Sequence, residues 1–195
     1  MMNVRYLTAG RNSESDECLT PRCAVLPIVK YLKQKGFKKI WCPFDLEDSM
    51  YVRVLKSADF DVIYTHKNVS DGDFFKIEVP ECDCIVSNPP FSKKDEILQR
   101  LYEIRKPFAI LLPQNALQSN FRTGLFIKYG LEYLGFDKRI PFYTKAKGES
   151  DEQSYSYPKM SNHFASAYFC NGVLPEKMIL ENLTVFGEHY YADYN

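Results

Sequence analysis

The chain has 195 residues, of which 45% are hydrophobic and 26% charged, with 25 basic and 25 acidic side chains. It is long enough for one compact domain and too short for two ordinary domains and a linker, so a single domain over residues 1–195 is expected. Zero formal charge excludes a global field drawing the protein onto nucleic acid, and no signal core or apolar run near the roughly 18 residues of a membrane helix is present, which predicts a soluble, cytoplasmic protein.

Thr20-Pro21 reads as a helix start, a hydroxyl cap followed by proline at the first helical position. Ala24, Val25, Ile28, Val29 and Leu32 follow at helical spacing until Gly36 ends the run. Residues 37–44 are short, apolar and stopped by Pro43, as suits a buried first strand. Residues 49–59 carry Met50, Val52, Val54 and Leu55 on a helix, and residues 60–65 give a second strand. Asp71-Gly72-Asp73 is a turn, followed by a brief extended stretch over 74–79.

Residues 82–87 form a strand that runs into Asn88-Pro89-Pro90, which can continue neither strand nor helix. Residues 94–104 are helical, 107–113 are almost wholly apolar and read as a central parallel strand, and 121–134 read as another helix. This alternation implies an α/β fold with a mainly parallel, doubly wound sheet. Residues 139–143 and 164–170 are expected to close it as a terminal antiparallel hairpin, around a polar stretch, 144–162, that carries Tyr155 and Tyr157. A loop of that length in a compact domain is a candidate substrate-recognition element.

Asn88, Pro89, Pro90 and Phe91 are the candidate catalytic residues. The nitrogen of an exocyclic amine is a poor nucleophile because its lone pair is delocalised into the ring. An amide oxygen from Asn88 and the backbone carbonyl of Pro89, both accepting from the amino group, would favour a pyramidal nitrogen with a localised pair. Two prolines stiffen the loop so that both acceptors converge beforehand, and Phe91 offers a face for a planar base. Position sharpens the reading, since ligands of parallel α/β sheets bind beyond the carboxyl ends of strands.

The Ser87-Asn88-Pro89-Pro90-Phe91 run resembles the catalytic motif of amino-methyltransferases, and residues 20–113 are similar to small phage-type adenine-specific DNA methyltransferases. The resemblance implies a Rossmann-like class I methyltransferase domain that uses S-adenosylmethionine to methylate adenine N6 in DNA, in the host cytoplasm if phage-encoded. It places Thr20 and Pro21 by the donor's methionine end, Pro43, Phe44 and Asp45 in the donor loop, and Asp73 and Phe74 at the donor's adenine. The family's first strand ends in Asp-Pro-Phe-x-Gly-x-Gly; here Cys42 replaces the acid and neither glycine is present. Asp45 or Asp48 would then take the donor's amino or ribose groups. Ribose recognition at Thr65-His66 has no assigned residue.

Related motifs serve guanine N2 in RNA and protein glutamine, and the missing glycines also fit a non-catalytic nucleic-acid or protein-binding module. Lys93 and Lys94, beside Phe91, are candidates for a phosphate flanking an extruded base, whereas Arg100, Arg105, Arg122, Lys128, Lys138 and Arg139 read as solvated faces. The length leaves no room for a separate target-recognition domain, so a protein partner is a further expectation. His66, His163 and His189 show no metal-ligand spacing, and no metal is expected. Cys18, Cys23, Cys42, Cys82, Cys84 and Cys170 form no C-x-x-C pair and read as buried free thiols, with Cys82 and Cys84 on one face of a strand.

Overall fold

The computed structural model of the protein describes residues 20–69, 72–142 and 164–183, with the backbone of 144–145 and 155–156. The first half follows the predicted alternation. Helix α1 (Arg22–Gln34) leads into β1 (Lys39–Cys42), α2 (Met50–Ser57) and β2 (Asp61–Tyr64); β3 (Cys84–Ser87), α3 (Lys94–Ile104) and β4 (Phe108–Pro113) follow. β1 pairs in parallel with both β2 and β3, and β3 pairs in parallel with β4.

β1, β3 and β4 are apolar on both faces because both are covered. Ile40, Cys42, Cys84, Val86, Ala109 and Leu111 pack with α1 and α2, whereas Trp41, Ile85, Phe108, Ile110 and Leu112 pack with α3. The period-two alternation therefore divides one continuous apolar run between two cores. Strand β3 starts at Cys84, so Cys82 lies in the irregular segment before it and packs in the other core from Cys84, not on a shared face. Cys23, Cys42, Cys82, Cys84 and Cys170 are buried free thiols, as expected, and Cys18 lies outside the described residues.

The second half departs from expectation. Helix α4 (Asn120–Tyr129) ends at Gly130, whose φ of 90° breaks the helix, and β5 (Glu132–Phe136) occupies the rest of the predicted 121–134 helix. Tyr133 and Leu134 face opposite cores, so a strand buries both where a surface helix would not. Residues 139–142 are not a strand; Ile140 and Phe142 are buried beside the sheet, and Tyr143 lies outside the described residues. Strand β8 (Ser166–Asn171) instead pairs antiparallel with β4 on one side and β5 on the other, leaving no edge for a 139–143 partner. The terminal hairpin is thus replaced by one inserted strand.

Two short strands, β6 (Thr144–Lys145) and β7 (Tyr155–Ser156), pair antiparallel within the polar stretch, whose other residues lie outside the described set. β9 (Met178–Glu181), not anticipated, pairs in parallel with β5. The main sheet has seven strands in the order β2-β1-β3-β4-β8-β5-β9, mostly parallel, in an α/β architecture. Among the described residues, no helix is long and apolar enough to cross a membrane.

Strand β8 also holds α1. The Tyr168 hydroxyl donates to Ala24 O at 2.9 Å and lies 2.8 Å from the hydroxyl of Tyr51 in α2. Since Tyr168 spends its proton on Ala24, Tyr51 donates to Tyr168. The carbonyl is one residue beyond Cys23, to which Pro27, inside α1, can supply no N–H. Replacing Tyr168 with Phe should leave the Tyr51 hydroxyl and Ala24 carbonyl buried without this partner and lower stability by about 1–3 kcal/mol in urea denaturation. An unchanged midpoint would show that the hydroxyl column contributes nothing.

Candidate active site

The winding of the sheet reverses between β1 and β3: β2 lies on one side of β1, reached through α2, and β3 lies on the other. The two carboxyl ends at this switch point carry Pro43-Phe44-Asp45 and Asn88-Pro89-Pro90-Phe91. Crevices of this kind are where parallel α/β sheets take ligands. The parallel register Ile40↔Cys84 and Trp41↔Ile85 sets the two loops side by side.

A hydrogen bond joins them directly. Ser87 Oγ donates to Asp45 Oδ2, and both residues are buried. Burial pushes the Asp45 carboxyl up to about 7, against hydrogen bonds from Ser87 and Ser49 that favour its charged form. Cys42, where the resembled motif has its acid, is a buried thiol pushed further up, first by burial and then by the nearby Asp45. Asp48 is exposed.

The loop after β1 does without glycine because it never enters the left-handed region. The described non-glycine residues with positive φ are Asp59 and Arg105, neither of them in this loop. Instead Ser49 Oγ accepts from Leu46 N–H at 2.9 Å while Ser49 N–H reaches Leu46 O, and Asp45 N–H donates to Thr65 O at 3.2 Å. Thr65 Oγ1 accepts from Trp41 Nε1 at 3.1 Å. Side-chain hydrogen bonds thus replace backbone freedom as the means of turning the chain.

On the other loop, Asn88 Nδ2 donates to Thr20 Oγ1 at 3.0 Å, while Asn88 Oδ1 is buried without a hydrogen-bond partner. Thr20 itself is only 8% exposed. It does not cap α1: Pro21 takes the cap position with no side-chain bond, and Ala24 N–H reaches Pro21 O at 3.0 Å, so the expected cap and first-turn roles each move by one residue. Pro89 is buried and Pro90 half-buried; the Pro90 carbonyl accepts from Lys93 N–H and closes a single 3₁₀ turn over Phe91–Lys93.

Phe91 is half-buried and braced edge-to-face by Phe164 at 5.5 Å and Phe142 at 6.5 Å between ring centroids. Those two residues flank the polar stretch in the sequence, and both meet Phe91. Nothing in the local sequence signals this meeting, because Phe142 and Phe164 read only as ends of an expected hairpin. Lys94 Nζ donates to Phe91 O at 3.1 Å and so steadies the loop, whereas exposed Lys93 sits over the Phe75 ring at 5.4 Å.

The remaining candidates sit apart from this cluster or below it. Asp73 turns its carboxylate onto Phe75 N–H and towards Lys76, which together hold it below the usual carboxylate range. The 73–77 segment is a turn, with Lys76 and Ile77 N–H on Asp73 O, in place of the expected extended stretch. Gly72 is required there: a Cβ would lie 2.5 Å from the His66 carbonyl oxygen. Phe74 is 2% exposed and packs on Trp41 and Phe44, so it supports Phe44 from the core and presents no open face.

Two arginines that read as solvated are structural. Arg100 donates to Ile77 O at 3.0 Å and lies over Phe74, and Arg122, 6% exposed, bonds Ala116 O, Gln118 O and the Asp95 carboxylate. Arg122 thereby fixes the first turn of α3, which follows the Asn88 to Phe91 loop. Among the described residues no group of His, Cys, Asp or Glu could hold a metal ion. No protein-family model matches this chain, and no curated protein matches it in sequence.

The raised Asp45 pKa has a stability consequence. Unfolded Asp45 loses its proton near 4, folded Asp45 near 7, so folding favours the protonated form and stability falls as pH rises through that window. Below about 4 the group contributes no pH dependence, and above about 7 its cost is constant, on the order of 4 kcal/mol at about 1.4 kcal/mol per pH unit. Asp45→Asn keeps an acceptor for Ser87 and should remove this slope. Urea denaturation at pH 5 and pH 8 should show the variant gaining relative stability at the higher pH; parallel curves would refute the assignment.

Proposed function

We propose that the protein is an S-adenosylmethionine-dependent methyltransferase acting on an exocyclic amino group, with adenine N6 in DNA as its substrate, on a Rossmann-like class I methyltransferase fold. The observation that carries the reading is Asn88 Oδ1, a buried acceptor without a donor, at the carboxyl end of β3 beside the switch point. Buried polar atoms are nearly always satisfied, and an amino group entering the site would supply the missing donor. The mixed sheet agrees with what the motif resemblance implies.

The residues at the switch point fit the methyl donor. Thr20, Pro21, Pro43, Phe44 and Asp45 lie at or before the elements of this switch point and would hold the donor's amino-acid end, and Asp73 carries a carboxylate able to accept from an adenine amino group. When bound, S-adenosylmethionine supplies a methyl group on a sulfonium, so an N–C bond forms as an S–C bond breaks and no covalent intermediate on the protein is needed. Asn88 Oδ1 and the Pro89 carbonyl accept from the amine and turn its lone pair out of the ring plane. Phe91, held from turning by Phe142 and Phe164, carries the base, and the displaced amine proton leaves to water. The polar stretch rooted at Phe91 and the exposed ammonium of Lys93 are the proposed contacts to the rest of the nucleic acid, with a protein partner as a further source of target recognition.

A non-catalytic binding module is favoured by one observation, the sealing of Asp45 by Ser87 in a loop without glycines. Calorimetric titration with S-adenosylmethionine separates the two readings: binding is expected, and none even with DNA or RNA present would sink the enzyme. Nucleoside analysis after incubation with DNA should show N6-methyladenine; N2-methylguanine or methylglutamine in its place would reassign the substrate. Asn88→Ala should lower turnover by about 100-fold or more while donor affinity changes little. Full activity in that variant would refute the role of the amide.

A further inference from the structure

An asparagine can present either end of its amide to a substrate, and only the oxygen is useful to an amino group. Presented in reverse, Asn88 would meet a donor with two N–H protons, losing one acceptor and adding repulsion. Neither proline of the loop can determine which end faces the site, since the choice is a rotation about the side chain's own bond. Some group outside the loop must set it.

We propose that Thr20 is a positioning residue that sets the orientation of the Asn88 amide, holding its oxygen towards the substrate side. The proposal rests on the amino-methylation reading. Asn88 Nδ2 lies 3.0 Å from Thr20 Oγ1, and Asn88 Oδ1 faces a buried place with no partner. Rotated by half a turn, the amide would still find the threonine hydroxyl, now as a donor. Its amino group would then lie where Oδ1 lies, with two protons and no acceptor, and buried orphan N–H groups are rarer and costlier than an under-satisfied carbonyl-type oxygen. The contact with Thr20 and the empty acceptor position therefore select one orientation together.

Thr20 can do this because its own place is fixed. It is 8% exposed and immediately precedes α1, which is anchored by the Tyr168 hydroxyl on Ala24 O and by contacts from Glu181 of β9 to Tyr31 and Lys30. The hydroxyl thus reaches a residue 68 positions along the chain from a rigid mount. A threonine at this place acts on the acceptor amide as well as lying near the donor.

The test uses the full-length protein. Thr20→Val keeps the shape and removes the acceptor; Thr20→Ser keeps the acceptor. In the donor-free protein, the side-chain amide protons of Asn88, assigned in a ¹⁵N–¹H spectrum by their loss in Asn88→Asp, should shift in Thr20→Val and stay near their native position in Thr20→Ser. With DNA and saturating S-adenosylmethionine, Thr20→Val should lower kcat by about tenfold, and Thr20→Ser should restore most of the rate. Unchanged amide resonances or unchanged kcat in Thr20→Val would overturn the proposal, as would equal losses in both variants, which would mean that Thr20 only docks α1. A native protein that neither binds the donor nor methylates would instead overturn the underlying reading.

Discussion

The parallel pairing of β1 with β3 is the constraint on which the site depends. Because the chain winds one way from β1 to β2 and the other way from β3 to β4, the segments leaving β1 and β3 head for opposite faces of the sheet, the arrangement at which parallel α/β sheets take ligands. The register Ile40↔Cys84 and Trp41↔Ile85 puts Asp45 within reach of Ser87, so the last residue of β3 anchors the first loop. A shift of this pairing by one residue would turn one of the two strands over, putting Trp41 or Ile85 into the core now filled by Cys42 and Cys84, so the two cores hold the register.

Asp45 shows how the loop manages without glycine. A glycine-rich loop brings backbone N–H groups close to a ligand; this one folds through Ser49 on Leu46 and buries a carboxylate instead. A buried carboxyl pushed up to about 7 is costly in an isolated domain and is placed where positive charge would relieve it. The sulfonium and ammonium of the proposed donor are such charges. The feature that makes the loop atypical in sequence is thus compatible in charge with the proposed ligand, though the chemistry differs from backbone approach.

β1 to β4 and α1 to α3 are legible in the sequence because β1, β3 and β4 are short apolar runs ended by Pro, and α3 keeps its expected ends. The pattern failed where tertiary context decides. Leu131 to Phe136 alternates too weakly to separate from α4, and the break depends on Gly130 at φ 90°, a residue that also passes as a tolerated helix glycine. β9 was illegible because Met178 and Leu180 are exposed at 64% and 73%, as expected of an edge strand and not of a core one. Asn88 to Phe91 could be read because the chemistry is local. The contacts of this loop with Thr20, Asp45, Phe142 and Phe164 could not, since these come from four distant segments and no periodicity links them.

The late strands also explain why the earliest described residue can be part of a site. β8 enters antiparallel between β4 and β5, so its Tyr168 comes to lie under α1 and α2, and β9 brings Glu181 to the far end of α1. Helix α1 is therefore clamped near its start by a hydroxyl on Ala24 and near its end by a carboxylate on Tyr31 and Lys30. A helix interrupted by Pro27 has less internal hydrogen bonding to keep it straight, and these contacts restrain both halves. Thr20 inherits that restraint, being only four residues from Ala24. The orientation proposed for the Asn88 amide would then depend on strands that follow α1 in the chain by nearly 150 residues.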